Sequence, residues 1–231
     1  GAELSRGQIY DVNSFTVAAA VEEAGVGGEA VVYEHVGDDY DEMRHVLARA
    51  SDECDIVVSS GSTSASEADV LYEVVEDEGE LLLHGIAVKP GRPTILGRID
   101  GTPYVGLPGN PISALMVFHY FGSRIVRDAA GLSGLFDEKL DGETANRIDS
   151  RGGRTRLLPV GLVESPERGL LAYSLDRGSG ATTSLGEADG YVVIDADTNY
   201  LEKREEVEVN LFDSDSASDV PPSIRSPKAR T

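Results

Sequence analysis

Lys89 and Arg92 flank Pro90-Gly91, a stiff, tight turn that holds two positive charges close together along the chain. A guanidinium meets an oxyanion with two parallel N–H bonds, while an ammonium acts as a compact point charge, so this pairing suits a phosphate-like or tetrahedral anion. Only four lysines (Lys89, Lys139, Lys203 and Lys228) stand against sixteen arginines, which makes a lysine set in such a turn less readily incidental. The plainer alternative is a pair of exposed loop charges. Two further stretches offer related chemistry. Ser59 to Ser66 (SSGSTSAS) contains five serines, a threonine and one glycine. Small residues of this kind let a backbone approach a phosphate or a ring closely, and hydroxyls both donate and accept. Otherwise the stretch is a polar surface loop. Leu107-Pro108-Gly109-Asn110-Pro111-Ile112-Ser113 reads as strand end, turn and helix start, with Asn110 as N-cap and Pro111 at the first helical position. The free amides of a helix mouth suit an oxyanion, although the same pattern makes an ordinary junction.

The elements that would position these loops are legible from periodicity. Asn13 or Ser14 caps a helix to about Ala24, ended by Gly25, with Val17, Ala20, Val21 and Ala24 facing the core. Glu29 to His35 is expected to be a strand, Asp41 to Ser51 a helix with Met43, Val46, Leu47 and Ala50 inward, and Asp55 to Ser59 a buried parallel strand. Val70, Leu71, Val74 and Val75 mark a helix closed near Gly79; Leu81 to Val88 and Thr94 to Leu96 are strand-like. Asp100-Gly101 signals a hairpin between Thr94–Arg98 and Pro103–Val105, and a helix follows from Pro111 to about Ala130 with Gly131 as its left-handed stop. Alternating strands and helices predict an α/β domain over residues 1–145, a doubly wound and mostly parallel sheet whose ligands sit beyond the carboxyl ends of its strands. Thr155–Glu164, Gly169–Leu175, Tyr191–Asp195 and Glu206–Phe212 predict a small all-β, barrel-like domain over 146–212, and the Ser-, Asp- and Pro-rich residues 213–231 a disordered tail.

Composition narrows the classes. The chain carries 41 acidic and 20 basic residues, a formal net charge of −21, with no basic run, so nucleic acid is not an expected partner. The acidic groups are spread over helix faces and turns, the pattern of a solvated surface adapted to high salt, and a halophilic source is expected. Cys54 has no second cysteine to pair with and reads as a small core thiol. None of the four histidines has metal-ligand spacing to another histidine or to the cysteine; His35 and His119 fall in apolar elements as core residues. No apolar run approaches the roughly 18 residues that span a bilayer, so no membrane partner is expected and the expected location is the cytoplasm.

Taken together and in order, Gly7-Gln8-Ile9-Tyr10-Asp11-Val12-Asn13, Ser59 to Asp69 (SSGSTSASEAD), Lys89-Pro90-Gly91-Arg92-Pro93 and Leu107 to Ser113 resemble the molybdopterin molybdenumtransferase family (MoeA and the E domain of gephyrin) over roughly residues 2–212. The segment Gly178 to Leu185 with Ala188-Asp189-Gly190-Tyr191 is similar to that family's C-terminal β domain. The resemblance implies the insertion of molybdate into adenylylated molybdopterin with release of AMP, assisted by Mg²⁺. It implies catalytic roles for Asp38, Asp69, Lys89 and Arg92, with Asp38 and Asp69 as the Mg²⁺ carboxylates. For Asp38, with Asp39 and Asp41 beside it, and for Asp69, helix capping is the competing role. Substrate contacts would come from Gly61, Ser62, Thr63, Ser64, Pro108, Gly109, Asn110, Pro111 and Ser113, and from Arg154 and Ser179 beside the molybdate.

The family forms dimers whose site is completed by the partner's N-terminal segment, and a molybdopterin adenylyltransferase is a further possible partner. A core strand and two domains precede the first motif in the family, so this chain is expected to lack the first strand of its sheet, leaving backbone edges open. The sequence departs from the family pattern at Ser62 and Ser66, where glycine is usual, at Arg92, often lysine, and at Pro159, often basic. Two other readings stay open: a MogA-like molybdopterin adenylyltransferase, and a non-catalytic pterin-binding or scaffolding module.

Overall fold

The computed structural model describes residues 11–25, 28–61, 70–132, 139–176 and 186–212. The chain divides into two compact units, Gly1–Ile86 with Gly91–Ser133, and Ala87–Pro90 with Gly134–Thr231. In chain order the elements begin with helix α1 (Asn13–Gly25), helix α2 (Tyr40–Glu53), strand β1 (Val57–Ser60), helix α3 (Val70–Glu78) and strand β2 (Gly79–His84). They continue with β3 (Val88–Lys89), which belongs to the second unit, then β4 (Ile95–Ile99), β5 (Thr102–Leu107) and α4 (Pro111–Val117).

The first unit is built on a four-stranded sheet in the order β1-β5-β4-β2. Only β1 and β5 run parallel; β4 is antiparallel to both β5 and β2. The expectation of a mostly parallel, doubly wound sheet is therefore corrected to a mixed sheet. The reason is local. Asp100 (φ 50°) and Gly101 (φ 88°) are both left-handed, the geometry of a tight primed hairpin, and this turns β5 back along β4. The expected strand Leu81–Val88 breaks at Gly85 (φ 78°), and Val88–Lys89 pairs in the other unit instead. Glu29–His35 is extended but joins no strand ladder among the described residues; Val31 and Val32 are 55 % and 61 % exposed, while Tyr33 packs against the core of the first unit. His35 is exposed.

Helices α2 and α3 cover the sheet with Met43, Leu47, Ala50, Leu71, Val74 and Val75, which join Val57, Ile95, Ile99 and Tyr104 in one cluster. The helix after Asn110 runs to Ala129 as expected but contains a π turn (Phe118–Gly122) before its last segment, α5 (Ser123–Ala129). A side chain on Gly122 would meet the Phe118 ring at 2.6 Å, so a glycine here leaves the ring its place. Gly131 (φ 72°) ends the helix, its N–H donating to Asp128 O and the Leu132 N–H to Arg127 O.

His119 sits on the π turn, partly buried, and burial pushes its imidazole pKa from 6.5 down to about 4. A depressed pKa means the unfolded chain binds the proton more readily between those two values. Stability from the neutral ring is full above about pH 6.5 and is lost as pH falls toward about 4. Denaturant unfolding should register a loss of about 2 kcal/mol between pH 7 and pH 5 that His119→Gln removes. The same loss in both proteins would refute this.

The second unit holds β6 (Lys139–Thr144), β7 (Ile148–Asp149), β8 (Thr155–Ser165), β9 (Gly169–Ser174), β10 (Gly190–Ile194), β11 (Tyr200–Leu201) and β12 (Glu206–Leu211). Six strands form one sheet in the order β10-β12-β6-β9-β8-β3, and β10 also pairs with β8, which curls the sheet on itself; β7 and β11 form a separate ribbon. Leu158, Val160, Ala172, Val192, Ile194 and Val209 fill its core. The four strands expected here are all present; the short β7 and β11, two residues each, gave no periodic signal. The expected tail, residues 213–231, lies outside the described residues.

Candidate functional site

Strands β1 and β5 are parallel, with Ser60 opposite Leu107, so both end on one side of the sheet and their following loops emerge together. Those loops are stitched to one another. Gly61 N–H donates to Leu107 O (3.2 Å), and Ser60 Oγ donates to Pro108 O (3.1 Å). A methyl group on Gly109 would lie 3.3 Å from Gly61 Cα, so the two backbones approach as closely as side chains permit. Asn13, at the start of α1, joins them: its Nδ2 donates to Ser60 Oγ (2.7 Å) and to Gly109 O (3.0 Å). Beneath, Ser59 Oγ and the Tyr104 hydroxyl share a hydrogen bond of 2.6 Å. Three separate motifs thus meet at one end of the sheet.

Asn110 is the N-cap, extended at φ −71°, ψ 125°, and its Oδ1 accepts from Ser113 N–H (3.1 Å) and Ser113 Oγ (3.3 Å). Pro111 opens the helix, as the sequence predicts. Pro108 is buried at the end of β5, while Gly109 and Asn110 are exposed. The capping of α1 differs from expectation. Asp11 Oδ1 accepts from Ser14 N–H (3.1 Å), and hydrogen bonding from the Ser14 side chain, with this backbone bond, holds the Asp11 carboxyl below its usual range. Thr16 N–H bonds to Val12 O, so the helical bonds begin before Asn13, one of the two residues expected as cap, and its amide nitrogen is used across the junction instead.

Of the carboxylates, Asp39 caps α2 by accepting from Glu42 N–H (2.9 Å), and Asp38 is exposed just before it. Among the described residues no three His, Cys, Asp or Glu side chains gather as a metal cage. Mg²⁺ carried in with phosphates needs one or two carboxylates and keeps its waters, and Asp38 fits that lesser requirement. Asp69, Ser62, Thr63, Ser64 and Ser179 lie outside the described residues.

Lys89 and Arg92, expected to face one anion, fall in different units, and each is exposed. Pro90 follows a cis peptide bond, Gly91 is at φ 120°, and buried Thr94 donates to Gly91 O (2.7 Å), which fixes the turn. Within the second unit, β3 runs parallel to the start of β8, with Lys89 in register with Arg156 and Thr155 N–H donating to Ala87 O. Arg154 immediately precedes that pairing and is exposed. Arg156, which pattern reading passed over, is in contact with Asp176 and donates to Asp149 O (2.6 Å). Lys89 and Arg156 share one face of the ladder, a cationic pair assembled by register and invisible to spacing.

Comparison with known proteins matches this arrangement to one group. A family model described as probable molybdopterin binding domain covers residues 1–128, and one described as the MoeA C-terminal region (domain IV) covers 141–212. Molybdopterin molybdenumtransferase 2 of Mycobacterium tuberculosis is 39 % identical over 142 residues, 57 % of this chain and 34 % of its own length. A protein of Methanocaldococcus jannaschii named a putative molybdopterin biosynthesis protein is 28 % identical over 206 residues, 89 % of this chain and 48 % of its own. A crystal structure of the molybdopterin biosynthesis MoeA protein from Pyrococcus horikoshii superposes with a TM-score of 0.78 at 37 % identity, covering 93 % of this chain and 51 % of that one. The chain thus spans from about a third to about half the length of these relatives.

Proposed function

This chain belongs to the molybdopterin-binding domain family, with a MoeA-type C-terminal region behind it, and from that premise we propose that it inserts molybdate into adenylylated molybdopterin and releases AMP. The observation that carries the reading is the hydrogen-bonded junction of Asn13, Ser60–Gly61 and Pro108–Asn110 at the carboxyl ends of β1 and β5, where an open α/β sheet receives ligands. In this reading the substrate's phosphates lie against the hydroxyl-rich loop of residues 61–64. Within the first unit Arg92 and amides of the Pro108–Ser113 turn are the groups that balance oxyanion charge in this reading, and within the second unit Lys89, Arg154 and Ser179 are. Asp38 and Asp69 orient the water and Mg²⁺ at the phosphates; bound there, the cation neutralises their charge. The two dithiol sulfurs displace one oxygen of molybdate, which leaves as water with the thiol protons, and one water cleaves the pyrophosphate bond to release AMP.

The active form in this reading is a cytoplasmic homodimer that receives its substrate from a molybdopterin adenylyltransferase. Substrate and molybdate are both anions, so a surface of net charge −21 slows their encounter unless high salt screens it, consistent with a halophilic setting. Among the described residues no helix is long and apolar enough to cross a membrane.

The test supplies the purified protein with adenylylated molybdopterin, molybdate and Mg²⁺. The expected outcome is AMP release that depends on molybdate, together with a product that activates an apo-molybdoenzyme. Binding without turnover would select a pterin-binding module instead. Adenylylation of molybdopterin by ATP would select the adenylyltransferase.

A further inference from the structure

Asn13 carries a side-chain oxygen that no described residue satisfies. Its side chain is 8 % exposed, and its Nδ2 spends its hydrogens on Ser60 Oγ (2.7 Å) and Gly109 O (3.0 Å). A backbone carbonyl only accepts, so Gly109 O fixes which end of the amide is nitrogen. Asn13 Oδ1 is consequently committed to the other side, where it is buried and has no hydrogen-bond partner among the described residues. The helix it opens gives that oxygen no donor among the described residues, since Thr16 N–H bonds to Val12 O and Ser14 N–H to Asp11 Oδ1. A buried carbonyl oxygen left without a donor is costly, and natural structures rarely retain one without a reason.

We propose that Asn13 Oδ1 is a specificity-determining acceptor that takes a hydrogen bond from an N–H group on the heterocyclic part of the ligand. The proposal rests on the functional reading above and refines it. An amide oxygen repels phosphate and molybdate oxygens, so this end of the junction does not receive the oxyanions. It receives a donor. Adenylylated molybdopterin carries such donors on two rings, the amino-pyrimidinone of the pterin and the 6-amino group of adenine, and either presents N–H to an acceptor at this depth. The same residue holds the Ser60 and Gly109 loops together through its nitrogen, so loop position and ring recognition are set by one side chain.

The experiment measures binding by titration calorimetry of the whole chain to molybdopterin, AMP and purine riboside 5′-monophosphate, which is AMP without its amino group. Wild type and two variants are compared. Asn13→Ala removes acceptor and latch together; Ser60→Ala breaks part of the latch and keeps Oδ1. If adenine is the donor, wild type prefers AMP to the purine analogue by about tenfold, Asn13→Ala loses that preference and Ser60→Ala retains it. If the pterin is the donor, Asn13→Ala weakens molybdopterin binding about tenfold while Ser60→Ala has a smaller effect. Thermal melts of each variant identify a loss of fold, and then Asn13→Gln, which keeps both amide groups but moves the oxygen by one methylene, must lose the preference that wild type shows. Equal binding of every ligand by wild type and Asn13→Ala overturns this assignment alone. Failure of wild type to bind molybdopterin and AMP at all overturns the functional reading with it.

Discussion

Replacing Lys89 with alanine should reduce molybdate insertion by at least about a hundredfold, the scale seen when one positioned donor to a reacting oxyanion is removed. The fold should be spared. Lys89 is exposed, and its contribution to the β3–β8 pairing comes from the backbone, which alanine supplies equally well. Nor is there a ready substitute in register: Arg156 stands opposite but is already engaged by Asp176 and the Asp149 carbonyl. Lys89→Arg keeps the charge but spreads it over a fork, so partial activity is expected from that variant. Circular dichroism and the melting temperature of Lys89→Ala should match wild type while AMP release and product formation fall. Insertion at the wild-type rate would remove Lys89 from the proposed chemistry.

Gly91→Ala should be strongly destabilising. At φ 120° an L-residue is strained, and the new methyl would lie 2.2 Å from Val117 Cγ2, a side chain that is fully buried and has no free end to swing aside. Forced overlap in a packed interior costs about 1–3 kcal/mol before backbone strain is added, so a total of about 3–5 kcal/mol is expected in denaturant unfolding. Gly131→Ala is the matched control. It also has positive φ (72°), but nothing lies within 4 Å of a methyl there, so only about 1 kcal/mol should be lost. Equal losses at the two sites would mean that the contact with Val117 is not what makes Gly91 necessary.

The sequence carried the local parts of this architecture well. Asn110-Pro111 and Gly131 announced both ends of a helix because capping chemistry is written in the residues that perform it. Asp100-Gly101 announced its hairpin for the same reason. What escaped was whatever depends on residues far apart in sequence. The hairpin was legible, yet its consequence, an antiparallel β4 in a sheet expected to be parallel, depends on which neighbour the returning strand selects. Glu29–His35 has strand composition, but composition does not supply a ladder partner. In the candidate site, the turn around Asn110 was visible beforehand, whereas Asn13 was taken for a cap. Only the folded chain reveals that Asp11 performs that role and that Asn13 reaches across to Ser60 and Gly109. Arg156 was hidden in the same way, made Lys89's neighbour by a register no spacing rule encodes.

The route of the chain between Ile86 and Gly91 has a consequence for synthesis. Ala87–Pro90 belongs to the second unit although both flanks belong to the first. Val88–Lys89 therefore leaves the ribosome well ahead of Thr155–Arg156, the strand that will receive it, and its backbone groups must wait while the remainder of the first unit is translated. No single cut yields both halves whole: a break at residue 133 leaves β3 on the wrong fragment. Separately expressed halves would each be missing or carrying a stray piece of the other.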